Sequence, residues 1–428
     1  MRSPIPDYLA EALRSVEADQ SGATADYIPE LADADPDLLA AGLCTVDGHV
    51  YSAGDAGVEF SIQSISKPFV CALALADRGF DAVLEKVGVE PSGDAFNEIS
   101  LEPGSGRPLN PMINAGAITT HTLAGPEEAT PEARVERIID GLSAFAGRRL
   151  QVDESVYHSE LSHAYRNRAL ANMLRAHDII GEDPLVAVAG YTRQCSLLVN
   201  VDDLAVMAAT LANRGINPVT GAPVVSAKVV RQTLSVMATC GMYDGAGDWM
   251  TRVGVPAKSG VAGGLIGALP GQAGIATFSP RLDRHGNSVR GVELFERFTA
   301  DMGMHLMEVP PAAPAVIRDR RVLGAGHGKV LLLALQGDIR FAGGERVARE
   351  FQERPPAEKR VAISLRRVSS VDDVARRMLL EAVRRLTLDG HDVYLIDPDT
   401  VLPDPEPGTG GRVTVYRHVD ELEAGSDD

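Results

Sequence analysis

Gln63-Ser64-Ile65-Ser66-Lys67-Pro68 decides how this chain reads. In a helix turn the i,i+3 spacing of Ser64 and Lys67 brings a hydroxyl and an amine to one face. A serine hydroxyl is a poor nucleophile until a neighbouring group takes its proton, so Lys67 is the candidate base. Pro68 is tolerated only in a first turn. The helix therefore starts near Ser64 and holds the serine at the positive end of its dipole. Ile65, Phe69, Val70 and Leu73 supply a buried side as far as about Arg78, and Gly79 is the stop. By itself S-x-x-K carries little information, because a random helix start often satisfies it.

A second element stands far downstream. Pro256-Ala257-Lys258-Ser259-Gly260-Val261-Ala262-Gly263-Gly264 precedes a hairpin pattern, Leu265 to Leu269, Pro270-Gly271-Gln272, then Ala273 to Phe278. The plain reading of Lys258-Ser259-Gly260 is a polar strand end before a flexible turn. The other reading is an edge strand beside the serine helix. Serine acyl-enzymes of the penicillin-binding and class A β-lactamase type combine S-x-x-K on a helix with K-T-G on a neighbouring strand, in this order.

Six blocks in order now point further: Phe60 to Lys67, Pro108 to Ile118, Tyr157 to Glu160 with Arg166-Asn167, Tyr191 with Gln194-Cys195-Ser196, Gly241-Met242-Tyr243-Asp244, and Lys258 to Gly264. From about Ala10 to Val309 the chain resembles the serine-dependent glutaminases, which share the β-lactamase-like fold. The resemblance implies hydrolysis of L-glutamine to L-glutamate and ammonia through a seryl acyl-enzyme, with no metal or organic cofactor. Such chemistry needs a nucleophile, donors for the oxyanion, a proton for departing ammonia and a second attack by water. Ser64 is the nucleophile. Lys67 is kept neutral by desolvation or by a cationic neighbour such as Lys258. The resemblance places Tyr243 close to both, as relay or acid, and the choice of base between Lys67 and Tyr243 stays open because the two can titrate together. It also implies an oxyanion hole from the backbone of Ser64 and Val261. For recognition it implies Glu160 on the substrate ammonium, Asn114, Asn167 and Tyr191 as further polar contacts, and Gln63 beside the nucleophile. Each has a plainer reading: Asn114 shapes a turn, Glu160 pairs with Arg166, Asn167 is solvated.

Composition fits a globular enzyme. The 428 residues, 45% apolar, suffice for two or three domains. Net charge is −18, from 41 basic and 59 acidic residues, with no Lys/Arg run to follow phosphates. Nucleic acid and anionic membrane are therefore poor partners. Met1-Arg2-Ser3-Pro4 opens no basic-plus-apolar leader, and the apolar run Val330 to Leu335 is too short to span a bilayer. The expectation is a cytoplasmic protein acting on a small molecule, as a homo-oligomer, dimer or tetramer. Cys44, Cys71, Cys195 and Cys240 lack metal or disulfide spacing. They read as free thiols, Cys195 with a structural role.

The order of patterns is α+β. An amphipathic start from Pro6 to Ala18 leads to strands Ala41 to Thr45 and His49 to Ser52 joined by Asp47-Gly48. Helical patterns fill Pro131 to Asn213, sheet alternation returns after Val255, and Val292 to Met304 closes the domain. This order predicts an antiparallel sheet with an inserted helical subdomain over 1–309, and the resemblance implies that it is a β-lactamase/penicillin-binding-like domain. Val309-Pro310-Pro311-Ala312-Ala313-Pro314 opens a proline-rich linker, assigned to 310–320. From 321 to 428 strands Val330 to Leu335, Val361 to Leu365 and Val393 to Ile396 alternate with helices Gly344 to Gln352 and Val371 to Leu388. That predicts a small α/β domain with crossover units.

Leu335-Gln336-Gly337-Asp338-Ile339 and Ser369-Ser370-Val371-Asp372-Asp373 resemble the STAS domain of anti-sigma-factor antagonists and anion transporters. Those switches carry a serine or threonine after the aspartate at a helix start, where phosphorylation adds charge. Here the place reads Asp372-Asp373-Val374. Ser369 and Ser370 read as N-cap residues, and the module as one that docks or regulates through a protein partner. Two other functions share some of these features. One is a penicillin-recognising serine hydrolase, marked by cleavage of a chromogenic cephalosporin. The other is a glutamine sensor reporting through the STAS-like module, marked by glutamine binding without ammonia release. If the C-terminal module is no phospho-switch, mass spectrometry of protein from its native cell will find no stoichiometric phosphate on Ser369 or Ser370.

Overall fold

Small residues in the strands decide how closely helices cover the first sheet. Ala40–Thr45 pairs antiparallel with Val50–Gly54 across the Asp47-Gly48 turn, where Gly48 takes φ +92°. On its other side it pairs antiparallel with Ala273–Phe278, followed by Gly264–Leu269 and the edge strand Ala257–Ser259. Successive side chains on a strand point to opposite faces. Ala40, Cys44, Ile266 and Ala276 join the cluster containing helix Val201–Ala212, while Ala41, Leu43, Leu265 and Ile275 join Leu9, Trp249, Phe295 and Phe298. Helices Ile5–Val16 and Val289–Met302 supply the second cover. On the first face the approach is tight: a Cβ on Gly274 would stand 2.0 Å from the Ala209 nitrogen.

This computed structural model describes residues 3–92, 101–308, 316–324 and 328–424. The chain divides into two units, Met1–Glu308 and Val309–Asp428. In the first, the helices between Pro131 and Ala212 are inserted between the two halves of the antiparallel sheet, in the order the sequence pattern predicts.

The helix announced by Ser64 begins as a 3-10 turn, Gln63–Ile65, and continues as Ser66–Arg78, ending at Gly79 with φ +81°. Every residue from Ser66 to Leu75 is buried. The sequence suggested one buried side; the helix is instead enclosed all round, as a central core helix is. Asn114–Leu123 is a helix that propensity does not announce, since Gly116 and Thr119-Thr120 are weak helix formers. Packing imposes it. A Cβ on Gly116 would lie 1.9 Å from the Asn110 carbonyl oxygen, so only glycine lets this helix seat on segment 110–113.

The second unit holds a five-stranded sheet in the order Thr414–Tyr416, Asp392–Ile396, Arg360–Val371, Val330–Ile339, Ile317–Leu323. The first four are parallel and Ile317–Leu323 is antiparallel. Helices Phe341–Glu353 and Asp373–Leu388 are the crossovers, packing through Val347, Phe351, Leu379 and Val383 on Leu333, Ile363 and Leu395. Two edge strands escape the sequence pattern: Ile317–Leu323 is broken by Arg318-Asp319-Arg320-Arg321, and Thr414–Tyr416 has three residues.

Two expectations are corrected. Residues 310–315 of the linker lie outside the described residues, but 317–320 belong to the strand Ile317–Leu323. Ser369 and Ser370 cap no helix; both lie in strand Arg360–Val371, Ser370 donates to Asp338 Oδ1 at 2.8 Å, and Asp372 is the N-cap, accepting from the Ala375 N–H at 2.7 Å. A carboxylate is the stronger acceptor for the helix N–H groups. In urea denaturation, Gly116→Ala will lower stability by about 3 kcal/mol, because backbone rather than a side chain blocks the added methyl.

Candidate active site

Glycine at 260 allows the edge strand to meet the serine turn. A Cβ there would approach the Ile62 carbonyl oxygen to 3.1 Å and the Ile65 side chain to 3.2 Å. Gln63, just before the serine, holds φ +50°, and Tyr243, heading the short 3-10 turn Tyr243–Gly245, holds φ +54°. For residues with a Cβ these are costly conformations. Both flank Ser64.

Lys67 lies below the serine with no exposed surface. Its Nζ donates to Asn114 Oδ1 at 2.7 Å and to the Met112 carbonyl at 3.0 Å, and stands 3.4 Å from the Tyr243 hydroxyl. Burial disfavours the ammonium and lowers its pKa to about 7. Desolvation is thus the agent, rather than the charge of Lys258. Lys258 is equally buried, donates to the Ser259 carbonyl at 2.8 Å and sits 3.9 Å over the centre of the Tyr243 ring. Burial, and then the nearby Lys67, push its pKa well down. Burial pushes the Tyr243 phenol up, against a hydrogen bond with the Ser64 hydroxyl that works the other way. The phenol therefore links serine and amine.

A cavity of about 310 Å³ opens over this group, lined by Gln63, Ser64, Asn114, Glu160, Asn167, Tyr191 and Val261. Lys67, Tyr243 and Lys258 complete the set named from the sequence, packed against one another beside it. Asn114 does more than shape a turn: its Oδ1 accepts from Lys67, and its Nδ2 donates to Asn167 Oδ1 at 3.0 Å. Glu160 Oε1 accepts from the Tyr27 hydroxyl at 2.7 Å and from Gln63 Nε2 at 3.1 Å. Burial raises the Glu160 pKa, and these two bonds oppose the rise. Cys195 reaches the cavity wall, but burial lifts its thiol to about 11, so it is a weak nucleophile.

Tyr27 and the Met112 carbonyl are missed by sequence reasoning. Tyr27 stands in an irregular segment 133 positions from Glu160, and a backbone oxygen has no residue signature. Among the described residues no three His, Cys, Asp or Glu side chains gather as a metal site, and no helix is long and apolar enough to cross a membrane.

Comparison with known proteins agrees on one family. The family model described as Glutaminase matches residues 22–307. The chain is 50% identical over 401 residues to a glutaminase of Corynebacterium glutamicum, covering 94% of this chain and 96% of that one. It is similar in structure to Mglu, with a TM-score of 0.86 at 49% identity over 94% of this chain and 100% of the other. A structure of Mglu in its glutamate form matches with a TM-score of 0.85 at 45% identity, over the same shares.

Proposed function

Since the chain belongs to the glutaminase family and hydrolyses L-glutamine to L-glutamate and ammonia, we propose that Ser64 does this through an acyl-enzyme, with Tyr243 and Lys67 as one proton relay. The observation that carries the reading is the placing of the Tyr243 hydroxyl, bonded to Ser64 and 3.4 Å from the Lys67 amine. A neutral amine has two protons and one lone pair. With Lys67 neutral, the phenol proton can pass to the amine across this 3.4 Å contact, beside the amine's bonds to Asn114 Oδ1 and the Met112 carbonyl.

Ser64 Oγ attacks the side-chain amide carbon while its proton passes to Tyr243, whose own proton passes to Lys67. The negative oxygen meets the N–H groups of Ser64 and Val261. When the C–N bond breaks, the relay returns the proton to nitrogen and ammonia leaves a glutamyl ester on Ser64. Water then attacks, its proton takes the same path, and collapse restores the serine hydroxyl as glutamate departs. Glu160 receives the substrate ammonium: both of its bonds fall on Oε1, which leaves Oε2 for a ligand. Asn167 and Tyr191 supply the other polar contacts, and the glutamate form of the similar Mglu supports an amino-acid site here. A site that pairs the polar groups of a free amino acid rejects analogues that lack them, peptide-bound glutamine included.

We assign catalysis to the first unit and read it as β-lactamase-like, supported by its antiparallel sheet with inserted helices. We read the second unit as a STAS-like docking or regulatory module. Support comes from four parallel strands with both crossover helices on one face, and from a groove of about 660 Å³ lined by Phe351, Met378 and Leu386.

Ammonia release by Ser64→Ala will fall on the order of a thousandfold or more. Lys67→Ala and Tyr243→Phe will each be severe and will not add, because they break one relay. The relay needs neutral Lys67, so kcat/KM for L-glutamine will rise with pH through about 7 and fall about tenfold per unit below it. A flat acid limb would remove Lys67 from the relay.

A further inference from the structure

Behind the serine turn runs a buried chain of polar side chains that the reaction scheme does not use. His121, Gln194 and Ser66 are 2%, 1% and 0% exposed. Ser66 Oγ donates to the Gln63 carbonyl at 2.8 Å, Gln194 Nε2 donates to Ser66 Oγ at 3.1 Å, and His121 Nδ1 lies 2.9 Å from Gln194 Oε1. The directions are determined link by link. The serine proton goes to the carbonyl, which has none to give, so Gln194 must present its NH2 to Ser66 and its oxygen to His121. His121 Nδ1 therefore carries a proton. Burial holds its pKa down at about 4, so the ring is neutral under working conditions.

The far end of this chain is the peptide joining Gln63 to Ser64. A trans peptide is planar, with its C=O and N–H pointing in opposite directions. Whatever grips the Gln63 carbonyl from within thereby aims the Ser64 N–H outward. That N–H heads a helix turn, where amides lack an intrahelical partner, and Ser64 lines the cavity. The grip has to hold a left-handed residue, since Gln63 has φ +50°, and an unrestrained peptide would relax from that conformation. The Ser66 backbone N–H also reaches the Gln63 oxygen, so the side-chain bond adds direction to one the turn already makes. Space beside His121 is tailored as well. A Cβ on Gly190 would come within 2.3 Å of His121 Nε2, so helix Pro184–Cys195 approaches the ring closely enough for Gln194 to bridge to the serine turn.

We propose that Gln194, acting through Ser66 and backed by His121, is a positioning residue that aims the Ser64 N–H at the developing oxyanion. This rests on the reading of Ser64 as nucleophile and of its N–H as an oxyanion donor. None of the three side chains touches substrate. Their effect falls on the transition state, in both acylation and deacylation, and not on ground-state binding.

The test compares the full-length protein with its Gln194→Met and Ser66→Ala variants. Steady-state ammonia release from L-glutamine gives kcat and KM, calorimetry gives the Kd of L-glutamate, and a thermal melt gives the midpoint. Removing an oxyanion donor outright costs on the order of 100-fold to 1000-fold in kcat. A donor that is misaimed but present should cost about 10-fold to 100-fold. The expected result is that loss in both variants, with KM and glutamate Kd within about twofold of the parent and the acid limb of the pH profile unmoved. Ser66→Ala removes a single oxygen and carries the test if Gln194→Met does not fold. The proposal is overturned if kcat is unchanged, or if kcat, KM and glutamate Kd shift together in step with the melting midpoint, which is what loosened packing does. Ser64→Ala run in parallel separates the two levels. Persisting ammonia release there removes the acyl-enzyme and the proposal with it; an inactive Ser64→Ala beside fully active Ser66→Ala and Gln194→Met removes only the positioning role.

Discussion

A fully buried amine is the constraint around which this molecule is organised. Lys67 sits in the body of the first unit, where an ammonium would be strongly penalised and a neutral amine much less so. Its acceptors include a backbone carbonyl and an amide oxygen, neither ionised. A carboxylate in their place would hold the proton on the amine. The neighbourhood is consistent with that need. Lys258 is buried too and rests on the face of Tyr243. The desolvation that would count against stability is what makes a lysine reactive near neutrality.

Neutrality alone does not aim a lone pair. Asn114 bonds Lys67 through its oxygen and Asn167 through its nitrogen, so one amide ties the buried amine to the wall of the cavity. The helix that carries Asn114 is seated by Gly116 on the segment that supplies the Met112 carbonyl. Two left-handed residues, Gln63 and Tyr243, flank Ser64. Each costs about 1 to 3 kcal/mol in an unconstrained chain. They persist because the surrounding core is closed, with every residue of the central helix from Ser66 to Leu75 buried.

The second unit obeys different rules. Its parallel strands require crossovers, and its edges are blunted by charge, by Arg318 to Arg321 at one side and by brevity at the other. Glu350, nearly buried, draws Arg320 to 2.8 Å and has Arg346 and Arg354 close by, tying the edge strand to the crossover helix. Asp372 takes the capping position that Ser369 and Ser370 only neighbour in sequence.

From the chain alone came the serine and lysine one turn apart, the Asp47-Gly48 hairpin, the hairpin beyond Gly263, the interposed helices and the alternating C-terminal strands. These depend on spacing and periodicity, which are local. The site residues from Asn114 to Tyr191 were legible only as blocks resembling a family, since polar side chains scattered over many positions carry no periodic signal. Folding alone decided that burial rather than Lys258 makes the amine neutral, that Tyr27 reaches Glu160, and that Gln194 lies behind the serine turn. Desolvation and hydrogen-bond direction belong to a closed three-dimensional interior, and no short stretch of sequence contains that interior.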